Sequence, residues 1–194
     1  MIRNIWAVGR NYADHAKELG NSVPSSPLFF LKAGSCAVIG NEFSLPEWAR
    51  DVHHELEIAL QFGEDLEICS WGLALDLTER RLQSELKSRG EPWTLAKSFT
   101  GACPISSLLP WPKEGLPKDM ELKLFVNGTI RQTGTLGQMI FSPAELVDFA
   151  KSHFPLCPGD LLLTGTPSGV GPLKKGDVLL AQAGSLLLHQ WSVK

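Results

Sequence analysis

Apolar and polar residues alternate most regularly over residues 53–62, and this stretch predicts a β-strand. One face of that strand is apolar, and the opposite face carries the carboxylates of Glu55 and Glu57. Two such carboxylates lie roughly 7 Å apart along a strand and can reach one cation between them. Hard divalent ions such as Mg²⁺, Mn²⁺ and Ca²⁺ favour these oxygen ligands. The same alternation is also typical of a half-exposed strand whose polar face meets water, so the pattern alone leaves both interpretations open.

Shorter apolar runs between turn signals predict further strands. They cover residues 2–8, 28–32, 73–77, 161–164, 178–181 and 186–191. The dipeptide at Asn127 and Gly128 joins two alternating runs within 122–131 and indicates a type I′ hairpin. The predominance of short strands predicts an α+β, mostly β architecture, in a single domain that spans residues 1–194.

Capping signals predict three helices. The first begins after Asn11 and ends near Gly20 and Asn21, and the second begins at Thr78 and ends before Gly90. The third starts at a capping box over 142–145 that includes a proline at the first helical position. Its buried face is predicted to consist of Leu146, Phe149, Ala150 and His153.

Three separate polar features suit a reaction centre. His15 and Glu18 share a helix face, so the carboxylate can make the imidazole a stronger base, although such pairs are also common on helix surfaces. Asp76 follows an apolar strand, where an aspartate also serves as a cap or turn residue. Lys97 stands among apolar and hydroxyl residues, and its ammonium group lies either in a pocket or at the surface. Taken alone, none of these features decides between its functional and its structural interpretation.

A glycine-rich loop over residues 165–172 follows one of the predicted strands. It lacks the Lys-Ser/Thr ending of a P-loop, and no helix follows it, which argues against a nucleotide site. Backbone N–H groups from Gly165 onwards, beside the Thr166 hydroxyl, suit the carboxylate of a small ligand. A plain glycine-rich corner between strands explains the same residues equally well.

Composition excludes several classes of protein. With 43% hydrophobic and 20% charged residues, the chain is expected to be globular rather than disordered. Its formal net charge of −3 and the absence of a basic cluster argue against a nucleic-acid partner. No run of 18 apolar residues and no signal-like start occur, so we expect a cytoplasmic protein that does not interact with a membrane. The four dispersed cysteines predict reduced thiols rather than disulfides or a zinc site.

Seven short segments, in order and at matching spacing, resemble the fumarylacetoacetate hydrolase family. They are GRNYADHAKE (9–18), FFLK (29–32), HHELE (53–57), LDLT (75–78), PWTLAK (92–97), MIF (139–141) and LTGTP (163–167). The resemblance extends over nearly the whole chain and is strongest to the branch of small acylpyruvases and oxaloacetate decarboxylases. Although each segment is weak by itself, together they favour a metal site at Glu55 and Glu57 over a solvated strand.

The resemblance implies a rolled mixed β-sheet with a few peripheral helices, usually in a homodimer. It also implies Mg²⁺ or Mn²⁺ held by Glu55, Glu57 and Asp76. Its catalytic positions fall on His15, Glu18 and Lys97, with the first two in a segment that closes over bound ligand. The resemblance also implies that Arg10, Gln83 and Thr166 contact a small 2-oxo acid substrate. One departure is a connection between Phe62 and Trp71 about ten residues shorter than the family pattern, which predicts loss of a peripheral helix.

Three hypotheses for function follow from this resemblance. The first is metal-dependent hydrolysis of a C–C bond in acylpyruvates or related 2,4-dioxo acids, in which His15 activates water. The alternative is decarboxylation of oxaloacetate or isomerisation of a 2-oxo acid at the same site, through an enolate that requires no water. The third is an inactive homologue that binds a small acid, which the complete set of predicted site residues argues against.

Overall fold

The computed structural model describes residues 2–18, 20 and 22–194. Its strands, in chain order, are β1 (Asn4–Gly9), β2 (Leu28–Ala33), β3 (Ala37–Ile39), β4 (Glu42–Phe43), β5 (Val52–His54), β6 (Leu56–Phe62), β7 (Ile68–Leu75), β8 (Thr78–Glu79), β9 (Cys103–Ile105), β10 (Leu109–Pro110), β11 (Glu121–Val126), β12 (Thr129–Thr135), β13 (Leu161–Leu163), β14 (Gly171–Pro172), β15 (Val178–Ala183) and β16 (Leu187–Val193). The helices are α1 (Ala13–Glu18), α2 (Arg80–Ser88), α3 (Thr94–Lys97) and α4 (Pro143–His153). The predicted α+β, mostly β class is confirmed.

The largest sheet is mixed and rolled. Its strand order is β2-β1-β13-β6-β7-β9-β3, with β10 added beside β7. The β1–β13 and β3–β9 pairs are parallel, whereas β6 and β7 are antiparallel. Strands β2 and β3 lie at opposite ends of this order, yet only the 3₁₀ turn Gly34–Cys36 separates them in the chain. The sheet therefore curls until its two ends meet.

Gly34 permits that closure. A Cβ atom at this position would lie 2.4 Å from the carbonyl oxygens of Ile2 and Arg3. Such a distance is far below van der Waals contact, so a side chain here would push β1 away from the turn. The absence of a side chain at Gly34 lets the turn lie directly against the start of β1.

Two smaller sheets complete the architecture. One has the order β12-β11-β15-β16-β4, and the other has the order β14-β5-β8. The predicted hairpin joins β11 to β12, and the φ values of 51° at Asn127 and 76° at Gly128 agree with its type I′ turn. Among the described residues, no helix is long and apolar enough to cross a membrane.

The central hairpin differs from the simple strand predicted over 53–62. The chain forms β5 and β6 with a break at Glu55, and both faces of β6 are buried. The half-exposed interpretation is therefore wrong, because neighbouring strands and helices cover the polar face as well. The shortened connection after Phe62 is a turn in which the Gly63 N–H donates to the Glu67 carbonyl at 2.8 Å. No helix occurs in that connection, whose residues are all described.

Two of the predicted caps are wrong. The side chain of Glu79, not Thr78, accepts the N–H of Leu82 at the start of α2, because Thr78 is paired in the small sheet and its hydroxyl donates to the Asp76 carbonyl. Asn11 does not cap α1, since its amide bonds the backbones of Phe141 and Thr164 instead.

The other helix ends are mostly as predicted. The Ser142 capping box is confirmed, as is the left-handed Gly90 after α2, with φ of 68°. On α4 the buried face contains Leu146 and Ala150 as predicted. Phe149 is half-buried and His153 is exposed rather than buried, because both lie towards the solvent side at the helix end, where their rings stack at a centroid distance of 4.0 Å. The predicted stop at Asn21 lies outside the described residues.

The four cysteines are free thiols, as predicted. Cys36 and Cys103 are buried, Cys157 is half-buried and Cys69 is exposed.

Candidate active site

Three carboxylates meet at one end of the β6–β7 hairpin. Leu56 pairs with Leu75 across these strands, and the N–H of Asp76 donates to the carbonyl of Glu55 at 2.8 Å. Asp76 thus lies opposite Glu55, while Glu57 is two residues further along β6 and points to the same side. One oxygen from each of the three side chains falls within 4.8 Å of the others, and all three are buried.

Three basic side chains surround two of these acids. Lys97 Nζ donates to Glu55 Oε2 at 2.9 Å and to Asp76 Oδ2 at 2.5 Å. Lys32, which is wholly buried, donates to Asp76 Oδ1 at 2.5 Å, and Arg80 donates to the other oxygen of Glu55. Burial alone would raise the pKa of Glu55, but Lys97 and Arg80 outweigh it and hold that pKa well below its usual range. The carboxylate of Glu55 is therefore held in its charged form.

Glu57 lacks such a cation. Within the described residues, no Lys, Arg or His nitrogen lies within 4 Å of its carboxylate, and the N–H of Gly165 donates to its Oε2 at 2.6 Å. Burial and the negative charges of Asp76 and Glu55 raise its pKa well above the usual value. The cluster thus contains a carboxyl group that is forced towards its neutral form until a further positive charge arrives.

His15 and Glu18 lie beside the acids on α1. The imidazole Nδ1 is 3.2 Å from Glu18 Oε2, and the His15 side chain is buried. If Nδ1 carries the proton and donates to Glu18, Nε2 is left as the basic nitrogen. The shared helix face predicted for this pair is confirmed, and the position of His15 in the pocket gives the imidazole access to a ligand.

The glycine-rich loop binds carboxylates of the protein itself. Besides Gly165, which donates to Glu57, the N–H of Gly169 donates to the two oxygens of Glu18 at 3.1 and 3.2 Å. Thr166 lines the pocket, and its hydroxyl accepts a hydrogen bond from Gln132 at 2.7 Å. The N–H of Gly165 is therefore not free to receive a substrate carboxylate, whereas the Thr166 side chain stays at the pocket wall.

A pocket with a cavity volume of about 30 Å³ opens onto these groups. The acids Glu55 and Glu57 form part of its wall together with His15 and Lys97. Arg10 and Gln83, predicted to contact substrate, also line it. Each predicted site residue lines the pocket or directly contacts a residue that does: Asp76 through Lys97, Glu18 through His15, and Gly165 through Glu57.

Comparison with known proteins identifies the family of this chain. The profile of the fumarylacetoacetate (FAA) hydrolase C-terminal family matches residues 4–189. The chain belongs to this fumarylacetoacetate hydrolase family. The resemblance inferred from seven short segments is thus confirmed.

Three relatives illustrate the range of the family. The oxaloacetate tautomerase FAHD1 of Bos taurus, a mitochondrial protein, is 40% identical over 99% of this chain and 92% of its own length. A mitochondrial oxaloacetate decarboxylase of Dictyostelium discoideum is 43% identical over 91% of this chain and 87% of its own length. The crystal structure of fumarylpyruvate hydrolase from Pseudomonas aeruginosa, in complex with Mn²⁺ and pyruvate, superposes with a TM-score of 0.91. It is 32% identical, over 99% of this chain and 89% of that chain.

The chemistry of the acid cluster in this family member fits a divalent cation. Three buried oxygen ligands converge, and Glu57 has no cationic partner within 4 Å among the described residues, while burial and the charges of Asp76 and Glu55 raise its pKa. Oxygen-rich sites of this kind suit Mg²⁺ or Mn²⁺. Glu55, Glu57 and Asp76 are therefore the residues able to hold the metal.

Sequence reasoning missed three residues of the site. Lys32 and Arg80 bind acids of the three-carboxylate cluster directly, and Gln132 is buried behind Thr166. Gln132 also accepts hydrogen bonds from His54 and from the Leu56 N–H, so it links the loop to the start of β6. A signal for Lys32 was present, because it is a single lysine in an otherwise apolar strand. No comparable signal marks Gln132 in the polar β12 strand.

Proposed function

We propose that this protein is a metal-dependent oxaloacetate tautomerase that also decarboxylates oxaloacetate. One observation carries the proposal: the chain is similar along 99% of its length to a protein named for oxaloacetate tautomerisation, and it holds a buried three-carboxylate cluster beside a histidine–glutamate pair. This function was the alternative in the sequence analysis. It is placed before hydrolysis because relatives that are 40% and 43% identical to this chain are named an oxaloacetate tautomerase and an oxaloacetate decarboxylase.

Glu55, Glu57 and Asp76 hold Mg²⁺ or Mn²⁺ in this proposal. When bound, such a cation supplies a Lewis acid that draws electron density from a 2-oxo group and makes the adjacent carbon more acidic. The chain itself supplies the positive charge of Lys97, whose ammonium group is fixed by Glu55 and Asp76. That charge stabilises an enolate oxygen as it develops.

Tautomerisation moves two protons. The Nε2 atom of His15 takes a proton from C3 of the keto acid, and Glu18 stabilises the imidazolium that forms. The oxygen of the former 2-oxo group takes a proton from Lys97, which completes the enol. Exchange with water then restores both side chains. The reverse sequence converts enol to keto acid.

Decarboxylation needs fewer groups. The C3–C4 bond breaks, carbon dioxide leaves, and the electron pair enters the enolate of pyruvate, which later takes a proton at C3. No water is activated, so the base His15 is not required for the bond cleavage. The two reactions thus share Lys97 and the acid cluster but differ in their need for His15.

The test is a steady-state assay of oxaloacetate with Mg²⁺ or Mn²⁺. We expect accelerated loss of enol absorbance and, more slowly, formation of pyruvate. Both activities should disappear in a Glu55→Ala, Glu57→Ala double variant. Normal turnover by that variant would contradict the metal site. Binding of oxaloacetate by the wild-type protein without any turnover would support the inactive homologue instead.

Hydrolysis of an acylpyruvate is the second candidate, supported by the likeness to fumarylpyruvate hydrolase. Here His15 would deprotonate a water molecule that attacks the carbonyl distant from the carboxylate, and the C–C bond would break to release the pyruvate enolate. A panel of acetylpyruvate, fumarylpyruvate and oxaloacetate distinguishes the candidates by kcat/KM. A higher value for either acylpyruvate than for oxaloacetate would reverse their order.

We also propose that the protein is a cytoplasmic homodimer. Exposed apolar side chains such as Ile39, 75% accessible, and Leu188, 63% accessible, offer apolar area for a second copy. Size-exclusion chromatography with light scattering tests the dimer, which predicts about twice the monomer mass of 21.2 kDa.

A further inference from the structure

Lys87 is a cationic residue of the pocket that the proposed proton transfers do not use. It lies in the last turn of α2, and on that helix Arg80, Gln83 and Lys87 follow one another at spacings of three and four residues. Such spacing places side chains on one helix face, and all three line the pocket. One face of α2 therefore extends from the acid cluster, which Arg80 contacts, towards Lys87.

An aromatic wall positions two ammonium groups along this pocket. The ring of Phe30 lies 5.8 Å from that of Trp93, centroid to centroid. Lys97 Nζ is 4.9 Å from the Phe30 centroid, and Lys87 Nζ is 4.9 Å from the Trp93 centroid. Cation–π attraction fixes each ammonium group over its ring. The pocket thus presents an inner charge at the acid cluster and a separate charge over Trp93.

The charge of Lys87 lacks an acidic partner. In the described part of the chain, no carboxylate lies within 4 Å of Lys87 or Arg10, whereas Lys32, Arg80 and Lys97 each contact an acid. Arg10 also lines the pocket, and its Nε is buried without a hydrogen-bond partner among the described residues. Its backbone has a φ of 60°, an unfavourable conformation for a residue with a side chain. Two cations are therefore held at the pocket wall without a compensating protein anion.

The surrounding groups show a local surplus of positive charge. Burial, together with the positive charges of Arg10, Arg80 and Lys97, lowers the pKa of Lys87 to about 8, against the opposite influence of Glu55. A bound anion would relieve this repulsion and restore the charged form. A divalent cation at the acid cluster would increase the surplus, because it would offset the carboxylates that now balance Lys97 and Arg80.

We propose that Lys87, assisted by Arg10, binds the second carboxylate of a dicarboxylic 2-oxo acid and thereby selects dianionic over monoanionic substrates. The proposal rests on the function proposed above and assigns the distal end of its substrate. The first carboxylate and the 2-oxo group lie at the acid cluster, next to Lys97, and the second carboxylate extends along the aromatic wall to Lys87. Oxaloacetate is a short acid of this kind, with one carboxylate for the end of the pocket beside Lys97 and a second carboxylate for Lys87.

Kinetics with two ligands of equal chain length test the assignment. Oxaloacetate carries the distal carboxylate, and 2-oxobutanoate replaces it with a methyl group. In the presence of Mg²⁺, we expect Lys87→Met to raise the KM for oxaloacetate about tenfold or more, because it removes a charge-assisted hydrogen bond. The inhibition constant of 2-oxobutanoate should be the same in Lys87→Met as in the wild type. Lys87→Arg should have a KM for oxaloacetate close to the wild-type value.

Arg81→Met is the matched control. Arg81 lies on the same helix, its side chain is 69% accessible, and its substitution removes the same charge without altering the pocket. An equal increase in KM in both variants would overturn the proposal in favour of a general effect of net charge. Equal weakening of oxaloacetate and 2-oxobutanoate by Lys87→Met would also overturn it, because Lys87 would then shape the whole pocket.

The same proteins separate this proposal from the proposed function. Absence of oxaloacetate turnover by the wild-type protein contradicts the function, and the binding constants of oxaloacetate and 2-oxobutanoate are then measured by calorimetry. If the wild-type protein binds oxaloacetate more tightly than 2-oxobutanoate and Lys87→Met abolishes this difference, the result supports the subsite even without turnover. Turnover with an unchanged KM in Lys87→Met contradicts the subsite alone.

Discussion

The acid cluster and the His15–Glu18 pair lie in one active site, but the protein holds them in different ways. Glu55, Glu57 and Asp76 are on or next to β6 and β7, two inner strands of the largest sheet, and all three are buried. His15 and Glu18 are on α1, a helix of six residues. A helix this short is not stable by itself in water, so its position depends on contacts with other segments.

Polar contacts at both of its ends hold α1 in place. Asn11, which is fully buried, bonds the backbones of Phe141 and Thr164 just before the helix begins. At the other end, Glu18 accepts the Gly169 N–H. The only other acid and lysine of the helix, Asp14 and Lys17, form an exposed ion pair that contributes little. The difference suggests that metal binding is a property of the sheet, while placement of the base can be altered separately.

The largest expected effect comes from removing one acid of the sheet. Glu57→Gln keeps the shape of the side chain but eliminates the charge, so metal affinity should fall sharply and kcat/KM by about a thousandfold or more. Calorimetric titration with Mn²⁺ and steady-state assays measure the two losses. Without metal, the variant should be at least as stable as the wild type, because Glu57 is a buried acid crowded by Asp76 and Glu55. A lower unfolding midpoint in chelator would show that Glu57 supports the fold itself.

Removing the base should separate the two regions. His15→Ala is expected to lower tautomerisation about a hundredfold or more, since a general base is lost, while decarboxylation falls much less. Mn²⁺ affinity should equal that of the wild type, because no ligand of the sheet changes. Equal losses in both reactions would argue against separate roles for His15 and Lys97. A loss of metal affinity would contradict the independence of the two regions.

The same contrast explains how far the sequence predicts the site. A tight turn at Gly63 makes β6 and β7 a hairpin, in which each step along one strand is matched by a step back along the other. A one-residue register shift between Gln61 and Phe62 interrupts this match, and it is this bulge that places Asp76 opposite Glu55. The acid cluster therefore follows from local sequence only once both the turn and the bulge are recognised. The type I′ turn at Asn127 and Gly128 and the Ser142 capping box were predictable for the same local reasons.

Features that depend on distant segments were not predictable from pattern. Lys32 reaches Asp76 although β2 and β7 are separated by three strands in the sheet order, because the sheet rolls and brings its ends together. Asparagine is a common helix-capping residue, but the side-chain amide of Asn11 donates instead to the carbonyls of Phe141 and Thr164, which are far away in the chain. Thr78 failed as a cap because pairing with β5 competed for it. In each case a tertiary contact overrode a local preference.

A smaller effect is expected where the loop holds α1. Gly169 has a φ of 97°, and a Cβ atom there would lie 1.9 Å from the Arg131 carbonyl oxygen, so Gly169→Ala must displace the loop. Glu18 would then lose its N–H donor, and kcat should fall about tenfold with unchanged Mn²⁺ affinity. Gly176→Ala is the matched control, because its φ is 92° but nothing lies within 4 Å of the added Cβ. Equal losses in both variants would indicate backbone strain rather than the contact with Glu18.

The smallest effect concerns pH at the pocket wall, which Arg10 and Lys87 both line. The free enzyme loses the charge of Lys87 as pH rises through about 8, because burial and the positive charges of Arg10, Arg80 and Lys97 lower that pKa, whereas Glu55 acts in the opposite direction. Loss of positive charge weakens binding of a second carboxylate, so kcat/KM for oxaloacetate should decrease severalfold between about pH 7 and pH 9. The arginine in Lys87→Arg keeps its charge throughout this range, so kcat/KM of this variant should not decrease. In Lys87→Met, kcat/KM should be low at every pH. An unchanged pH profile in Lys87→Arg would assign the titration to another group and would contradict the role of Lys87 in binding the second carboxylate.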